Sequence, residues 1–171
     1  MRAARSFRLV VTVRRPGEPT HVEDNRIVRG AGARIKKADG DTVTEETVYI
    51  GGNVYRRANT GTWEQGTVRE DSEPASNLLY RNTSSLLGEL YDATAEPDHF
   101  TSIEPLTIDG TACVALAEPD GTRIYLTPGE HAHPRRLVVN SSGATVIWDF
   151  TELDTHIDLT PPTPTHPTTP R

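Results

Sequence analysis

The feature that most constrains this chain is an alternation of period two, repeated between closely spaced turn signals. Phe7, Leu9, Val11 and Val13 alternate with Arg8, Val10 and Thr12, and Ala144, Val146, Trp148 and Phe150 alternate with Thr145, Ile147 and Asp149. Successive side chains of a strand point to opposite faces, so each pattern lays one apolar row on one face of a sheet. Turn-forming pairs recur at Pro16-Gly17, Asp39-Gly40, Gly51-Gly52-Asn53, Asp109-Gly110, Asp120-Gly121, Pro128-Gly129 and Ser142-Gly143. Between them lie short β-rich runs, among them 47–50 with 54–57, 111–116, 122–126 and 136–140. Parallel strands need long crossover connections and tight turns do not provide them, so the pattern predicts an antiparallel meander of about ten strands.

The periodicity changes once. Over 74–93 the spacing becomes helical, with Leu79, Leu86, Leu87 and Leu90 on one stripe and Leu78 and Tyr91 at its flanks. Ser72 or Glu73 would cap this helix, with Pro74 in its first turn. The expected fold is therefore α+β and mainly β, with one leucine-faced helix against a sheet. The last stretch, 161–171, is rich in proline and threonine and lacks apolar anchors. It reads as a disordered tail after a single domain over 1–160.

Charge and cysteine content exclude several functions. The 171 residues carry 18 Lys+Arg against 24 Asp+Glu, for a net charge of −6. A mildly acidic chain argues against a main role on nucleic acid or on an anionic membrane, both of which need a basic surface, and leaves room for a local basic patch. Cys113 is the one cysteine, so an intrachain disulfide and a four-cysteine zinc site are both excluded. The sequence around Cys113 is small or apolar, which suits a buried, inert thiol. No run approaches the ~18 apolar residues of a membrane span. The apolar run 9–13 ends at Arg14 and is shorter than the ~7–15 residues of a signal-peptide core.

The order of the pieces resembles a known group of folds. A strand opening with Ser6-Phe7-Arg8 is followed by the hairpin Tyr49-Ile50-Gly51-Gly52-Asn53-Val54-Tyr55 and then Trp63. Next come the leucine-rich helix, Ile108-Asp109-Gly110, Ile124-Tyr125-Leu126, Pro134-Arg135-Arg136, Trp148-Asp149-Phe150 and Thr160-Pro161-Pro162. This arrangement resembles the LolA-like superfamily, and within it the actinobacterial lipoproteins of the LppX/LprG type. The resemblance implies a curved antiparallel half-barrel with a helix across its concave face, and a hydrophobic cavity between them that holds a lipid or acyl chain. It also implies an extracytoplasmic monomer that transports or presents lipid in the cell envelope, in peripheral or lipid-anchored contact with a membrane. Export would then depend on sequence not found in this chain. The residues expected to line the cavity are Leu79, Leu86, Leu87, Leu90, Tyr55, Trp63, Leu126, Val146 and Trp148, and each also has a plain reading as core. Neither a cofactor nor a metal is expected.

Two other readings compete with this one. The same fold serves as a regulatory sensor that binds a protein partner in the envelope, as regulators of anti-sigma factors do. A metal-dependent β-fold enzyme would centre on Glu130-His131-Ala132-His133, since histidines two apart on a strand project to one side. That pair lies between Pro128-Gly129 and Pro134, in a turn where such spacing sets no geometry, and it lacks a partner motif. Glu45-Glu46 and Glu70-Asp71 are adjacent acids that read as solvated turns. No Gly-x-Ser-x-Gly elbow is present, and Gly30-Ala31-Gly32-Ala33 has no following Lys-Ser/Thr for a phosphate loop. Arg26, Arg29, Arg34, Lys36 and Lys37 form the one basic cluster. On a strand Arg34 and Lys36 share a face and Lys37 points away, so the cluster is read as an exposed face that blocks edge pairing. Its functional alternative is contact with lipid headgroups or anionic polymers.

Overall fold

The computed structural model describes residues 4–68, 100–129, 132–163 and 166–167. Eleven strands form one open antiparallel sheet. They are β1 (Ser6–Arg14), β2 (His21–Val28), β3 (Gly32–Asp39), β4 (Thr42–Ile50), β5 (Asn53–Ala58), β6 (Glu64–Thr67), β7 (Thr101–Ile108), β8 (Thr111–Ala117), β9 (Arg123–Leu126), β10 (Pro134–Ser141) and β11 (Ala144–Thr151). A two-residue segment, β12 (His166–Pro167), lies parallel to β6.

The spatial order is β12-β6-β5-β4-β3-β2-β1-β11-β10-β9-β8-β7. Two meanders therefore meet at the centre, where β1 pairs with β11. The chain leaves β6 on one side of the sheet and re-enters as β7 at the opposite edge. At ~4.8 Å per strand spacing, those edges are roughly 45–50 Å apart along the sheet. The helix expected over 74–93 falls in this connection and lies outside the described residues.

Local chemistry explains the hairpins. The β4–β5, β7–β8 and β10–β11 loops each have two residues, Gly51-Gly52, Asp109-Gly110 and Ser142-Gly143, and all six have positive φ. That is the primed turn, whose twist matches the flanking strands and which glycine, aspartate and asparagine-like residues tolerate. The eleven antiparallel strands among the described residues agree with the expectation of about ten. The β2–β3 loop at Arg29-Gly30-Ala31 is one boundary that the glycine-rich reading of 30–33 passed over; Gly30 there takes a φ of 74°.

The side chains divide into two clusters on opposite faces. Phe7, Leu9, Ile27, Ala33 and Phe150 are buried together, with Val11, Trp148 and Leu153 packed against them. Ile108, Cys113, Ala115 and Tyr125 form the second cluster, with Ile103 and Val138. Register places the strand residues of the first cluster on one face: Phe7 opposes Ile27, Ile27 opposes Ala33, and Leu9 opposes Phe150. It places the second on the other: Ile103 opposes Ala115, Ala115 opposes Tyr125, and Tyr125 opposes Arg136.

The segment after β11 closes one end of the sheet. Asp154 N–H donates to the Ser6 carbonyl at 2.9 Å, and the Ser6 hydroxyl donates to the Thr155 carbonyl at 2.6 Å. Ile157 and Leu159 are buried, and Leu159 packs over Gly32 at the start of β3. A Cβ at Gly32 would lie 2.1 Å from the Tyr49 carbonyl oxygen, so only glycine fits beneath this segment.

Candidate functional site

The two faces of the sheet differ chemically. On β1, β11, β10, β9 and β8 one face carries no charged side chain beyond the bulged start of β10. Phe7, Leu9, Val11 and Val13 meet Phe150, Trp148 and Val146 across the β1–β11 pair. The row continues through Leu137 and Val139 on β10, Ile124 and Leu126 on β9, and Val114 and Leu116 on β8. Phe7, Phe150 and Leu137 are almost fully buried, Val11, Val13, Val146, Trp148 and Leu126 are half-buried, and Val114 is 43% exposed. An apolar surface thus runs outward from the core and reaches solvent.

This surface includes Leu126, Val146 and Trp148 from the expected cavity. Tyr55 lies on the opposite face, since it opposes Val48 and Val48 opposes Arg34. Trp63 sits between β5 and β6, with the Arg57 guanidinium 4.7 Å from its ring centroid, a cation–π contact beside the charged face. Leu79, Leu86, Leu87 and Leu90 lie outside the described residues, as do Glu130 and His131. Among the described residues no cluster of three or more histidine, cysteine or acidic side chains is placed to hold a metal ion. Cys113 is buried, with its thiol 3.4 Å from the Thr111 carbonyl.

The other face carries a charged row that the sequence does not announce. Arg57, Glu46, Lys36, Asp24, Val10, Asp149 and Arg136 stand directly opposite one another on seven consecutive strands. Glu46 is its centre on the β5 side. Its side chain is 4% exposed and accepts from Arg34 Nε at 2.7 Å and from Arg57 Nε at 2.9 Å. Burial alone would raise the Glu46 pKa. The hydrogen bonds from Arg57 and Arg34 outweigh it and hold the carboxyl below its ordinary range. Asp24 takes a two-pronged contact from Arg8, at 2.8 and 2.9 Å, and Asp149 accepts from Arg136 at 2.5 Å.

Two expectations change here. Glu46 is not a solvated turn acid but a buried strand residue, because β4 runs through it between two arginine-bearing strands. Glu45, on the opposite face of β4, pairs with Lys37 at 3.1 Å. The basic cluster does not guard an edge, because β2 and β3 are interior strands. Arg34 and Lys36 do share a face, with Arg26 beside them, and together with Asp24 and Glu46 they line a shallow groove of about 200 Å³.

Solved structures place this architecture. LprF from Mycobacterium bovis superposes with a TM-score of 0.56 over 94% of this chain and 90% of that one, at 12% identity. The lipoprotein LppX from Mycobacterium tuberculosis superposes with a TM-score of 0.57 over 93% and 91%, at 11% identity. The fold is of the LppX type. A LolA superfamily protein from Nitrosomonas europaea reaches a TM-score of only 0.32 at 6% identity and carries no weight. No family model and no curated protein sequence matches the chain. The LppX-type fold thus persists here where sequence identity is almost gone, which agrees with a sheet specified by alternation and turns rather than by particular residues.

Proposed function

We propose that this protein binds a hydrophobic ligand, a lipid or the acyl chain of a lipoprotein, against the uncharged face of its sheet. The observation that carries the reading is the continuity of that face across five strands, from the buried Phe150 to the half-buried Trp148 and Val146 and the exposed Val114. A concave or sheltered apolar surface with few polar groups is the usual form of a small-ligand site. Each methylene taken from water contributes about 0.8 kcal/mol, so a short stretch of acyl chain offsets the cost of holding it. Leu126, Val146 and Trp148 form the sheet wall of the site. In this proposal Leu79, Leu86, Leu87 and Leu90, which the sequence spaces as one apolar stripe, contribute the remaining ligand contacts. Tyr55 and Trp63 support the charged face and take no part.

The fold shared with LppX, itself a lipoprotein, supports an extracytoplasmic carrier that transports or presents its ligand in the cell envelope. The role is non-enzymatic: apolar side chains exclude water from the chain of the ligand, and no bond is made or broken.

Trp148 provides the test. In a Trp63→Phe variant it is the one remaining tryptophan. Adding a long-chain fatty acid is expected to shift its emission to the blue, and a brominated analogue is expected to quench it saturably. Native mass spectrometry of protein from a lipid-producing host is expected to show about one acylated species per chain. An apo mass together with no response of Trp148 to added lipid would overturn the proposal.

A further inference from the structure

The charged face carries a second candidate site that does not depend on the apolar one. Arg8, Arg26 and Arg34 stand directly opposite one another on β1, β2 and β3. Side chains in such positions start about 4.5–5.5 Å apart, and like charges there repel. Two of the three are neutralised at short range, Arg8 by Asp24 at 2.8 Å and Arg34 by Glu46 at 2.6 Å. Arg26, in the middle, reaches among the described residues only Glu152, at 4.0 Å, and shares it with Arg8. Lys36 is exposed and forms no ion pair among the described residues, because the flanking Asp24 and Glu46 are already engaged by arginines. The groove and its immediate surroundings hold Arg8, Arg26, Arg34, Lys36 and Arg57 against Asp24, Glu46 and Glu152, a local cationic excess in a chain of net charge −6.

We propose that this groove binds a phosphate-type oxyanion, with Arg26 and Lys36 as the direct donors and Arg34 at its border. A guanidinium fork and a mobile ammonium on adjacent strands suit a tetrahedral anion with several acceptor oxygens. A groove of about 200 Å³ admits such a group but not a large ligand. Asp24 and Glu46 repel an incoming anion only weakly, since Arg8, Arg34 and Arg57 compensate them. The same chemistry is offered by a phospholipid headgroup or by a small soluble phosphate.

The experiment follows amide shifts of the ¹⁵N-labelled full chain during titration with inorganic phosphate, against chloride at matched ionic strength. Saturable shifts at Arg26 and Lys36, with a Kd in the range of about 1–10 mM, are expected. The double variant Arg26→Gln with Lys36→Gln is expected to weaken binding at least about tenfold. Lys37→Gln, which like Lys36→Gln removes one positive charge but from the opposite face of β3, is expected to leave it unchanged. Removing Arg26 relieves repulsion between arginines, so the double variant is expected to melt no lower than the parent, and the single variant Lys36→Gln repeats the test if it does. Flotation with phosphatidylglycerol and phosphatidylcholine vesicles separates the sources. Retention on the anionic vesicles, competed by phosphate, assigns the site to a headgroup, whereas phosphate binding without retention assigns it to a soluble ligand. Neither phosphate shifts nor vesicle retention, or equal loss in Lys37→Gln, would overturn the proposal. Fatty-acid binding reported by Trp148 is expected to be unaffected by these variants, so failure here is distinct from failure of the apolar site.

Discussion

Phe150 and Trp148 lie two residues apart on the same face of β11, yet truncating them should have different consequences. Phe150 has no exposed surface and touches the cluster of Phe7, Leu9, Ile27 and Ala33. Replacing a buried phenylalanine with alanine removes transfer energy and leaves a cavity, at a cost of about 3–5 kcal/mol. Trp148 is half-buried at the margin of that cluster. Roughly half of an aromatic side chain's 150–250 Å², at ~25 cal/mol per Å², corresponds to about 2 kcal/mol. In a chain of this length each kcal/mol moves the melting temperature by about 2–4 °C. Phe150→Ala is expected to lower it by about 6–20 °C and Trp148→Ala by about 4–8 °C. Urea unfolding followed by far-ultraviolet circular dichroism should show both as midpoint shifts at constant slope. Only Trp148→Ala should also weaken fatty-acid uptake beyond its effect on stability. Equal losses for the two variants, or a Phe150→Ala loss below about 1.5 kcal/mol, would refute the gradient from core to ligand surface.

Three further outcomes follow from single side chains. Asn25 is buried on the apolar face, with its Nδ2 at a long 3.4 Å from the Leu9 carbonyl and, among the described residues, no donor to its Oδ1. Asn25→Leu is expected to stabilise by about 1 kcal/mol in urea unfolding, and a loss of stability would show that the amide oxygen is satisfied. The Glu46 carboxyl has a folded pKa below the ordinary 4.5. Its stabilising contribution is therefore complete above pH 4.5 and is lost as pH falls through the folded value. Glu46→Gln is expected to cost about 2 kcal/mol at pH 7, less than a fully enclosed pair because Arg34 and Arg57 are partly solvated, and the gap to the parent should narrow below pH 4.5. A gap independent of pH would assign the loss to shape rather than charge. Gly32→Ala places a methyl against the Tyr49 carbonyl of β4, and should lower stability by at least about 2 kcal/mol in a thermal melt; near-neutral behaviour would mean that β3 and β4 do not approach each other this closely at Gly32.

The hairpins were the most legible part of the chain. Asp109-Gly110, Ser142-Gly143 and Gly51-Gly52 have the backbone freedom that a two-residue primed turn demands, so both the turn and its antiparallel partners are local facts. The separation of Arg34 and Lys36 from Lys37 was equally local, following from alternation alone. The β2–β3 turn was less visible because Arg29-Gly30-Ala31 lacks the usual turn pair. Glu46 was misread because an acid beside another acid resembles a solvated loop until its strand is known. Its burial depends on Arg57, which follows it through a hairpin, and on Arg34, which precedes it through another. The expected wall was divided for the same reason: Tyr55 and Trp148 are both aromatic residues in β-rich runs, and neither run says which face of the sheet the other uses.

By itself, then, the sequence determined that the chain is a meander of short antiparallel strands, where its tight turns fall, and which side chains share a face within each strand. These are consequences of the two-residue pleat and of positive φ, and both act over a few neighbouring residues. Only the tertiary structure decided that β1 pairs with β11 in the register Leu9 to Phe150. That contact joins residues far apart in the chain, and a slip of one residue would turn Val146, Trp148 and Phe150 to the charged face. It is this single register that aligns the apolar rows of the two meanders into one continuous face, and aligns the charges of the other into a row from Arg57 to Arg136.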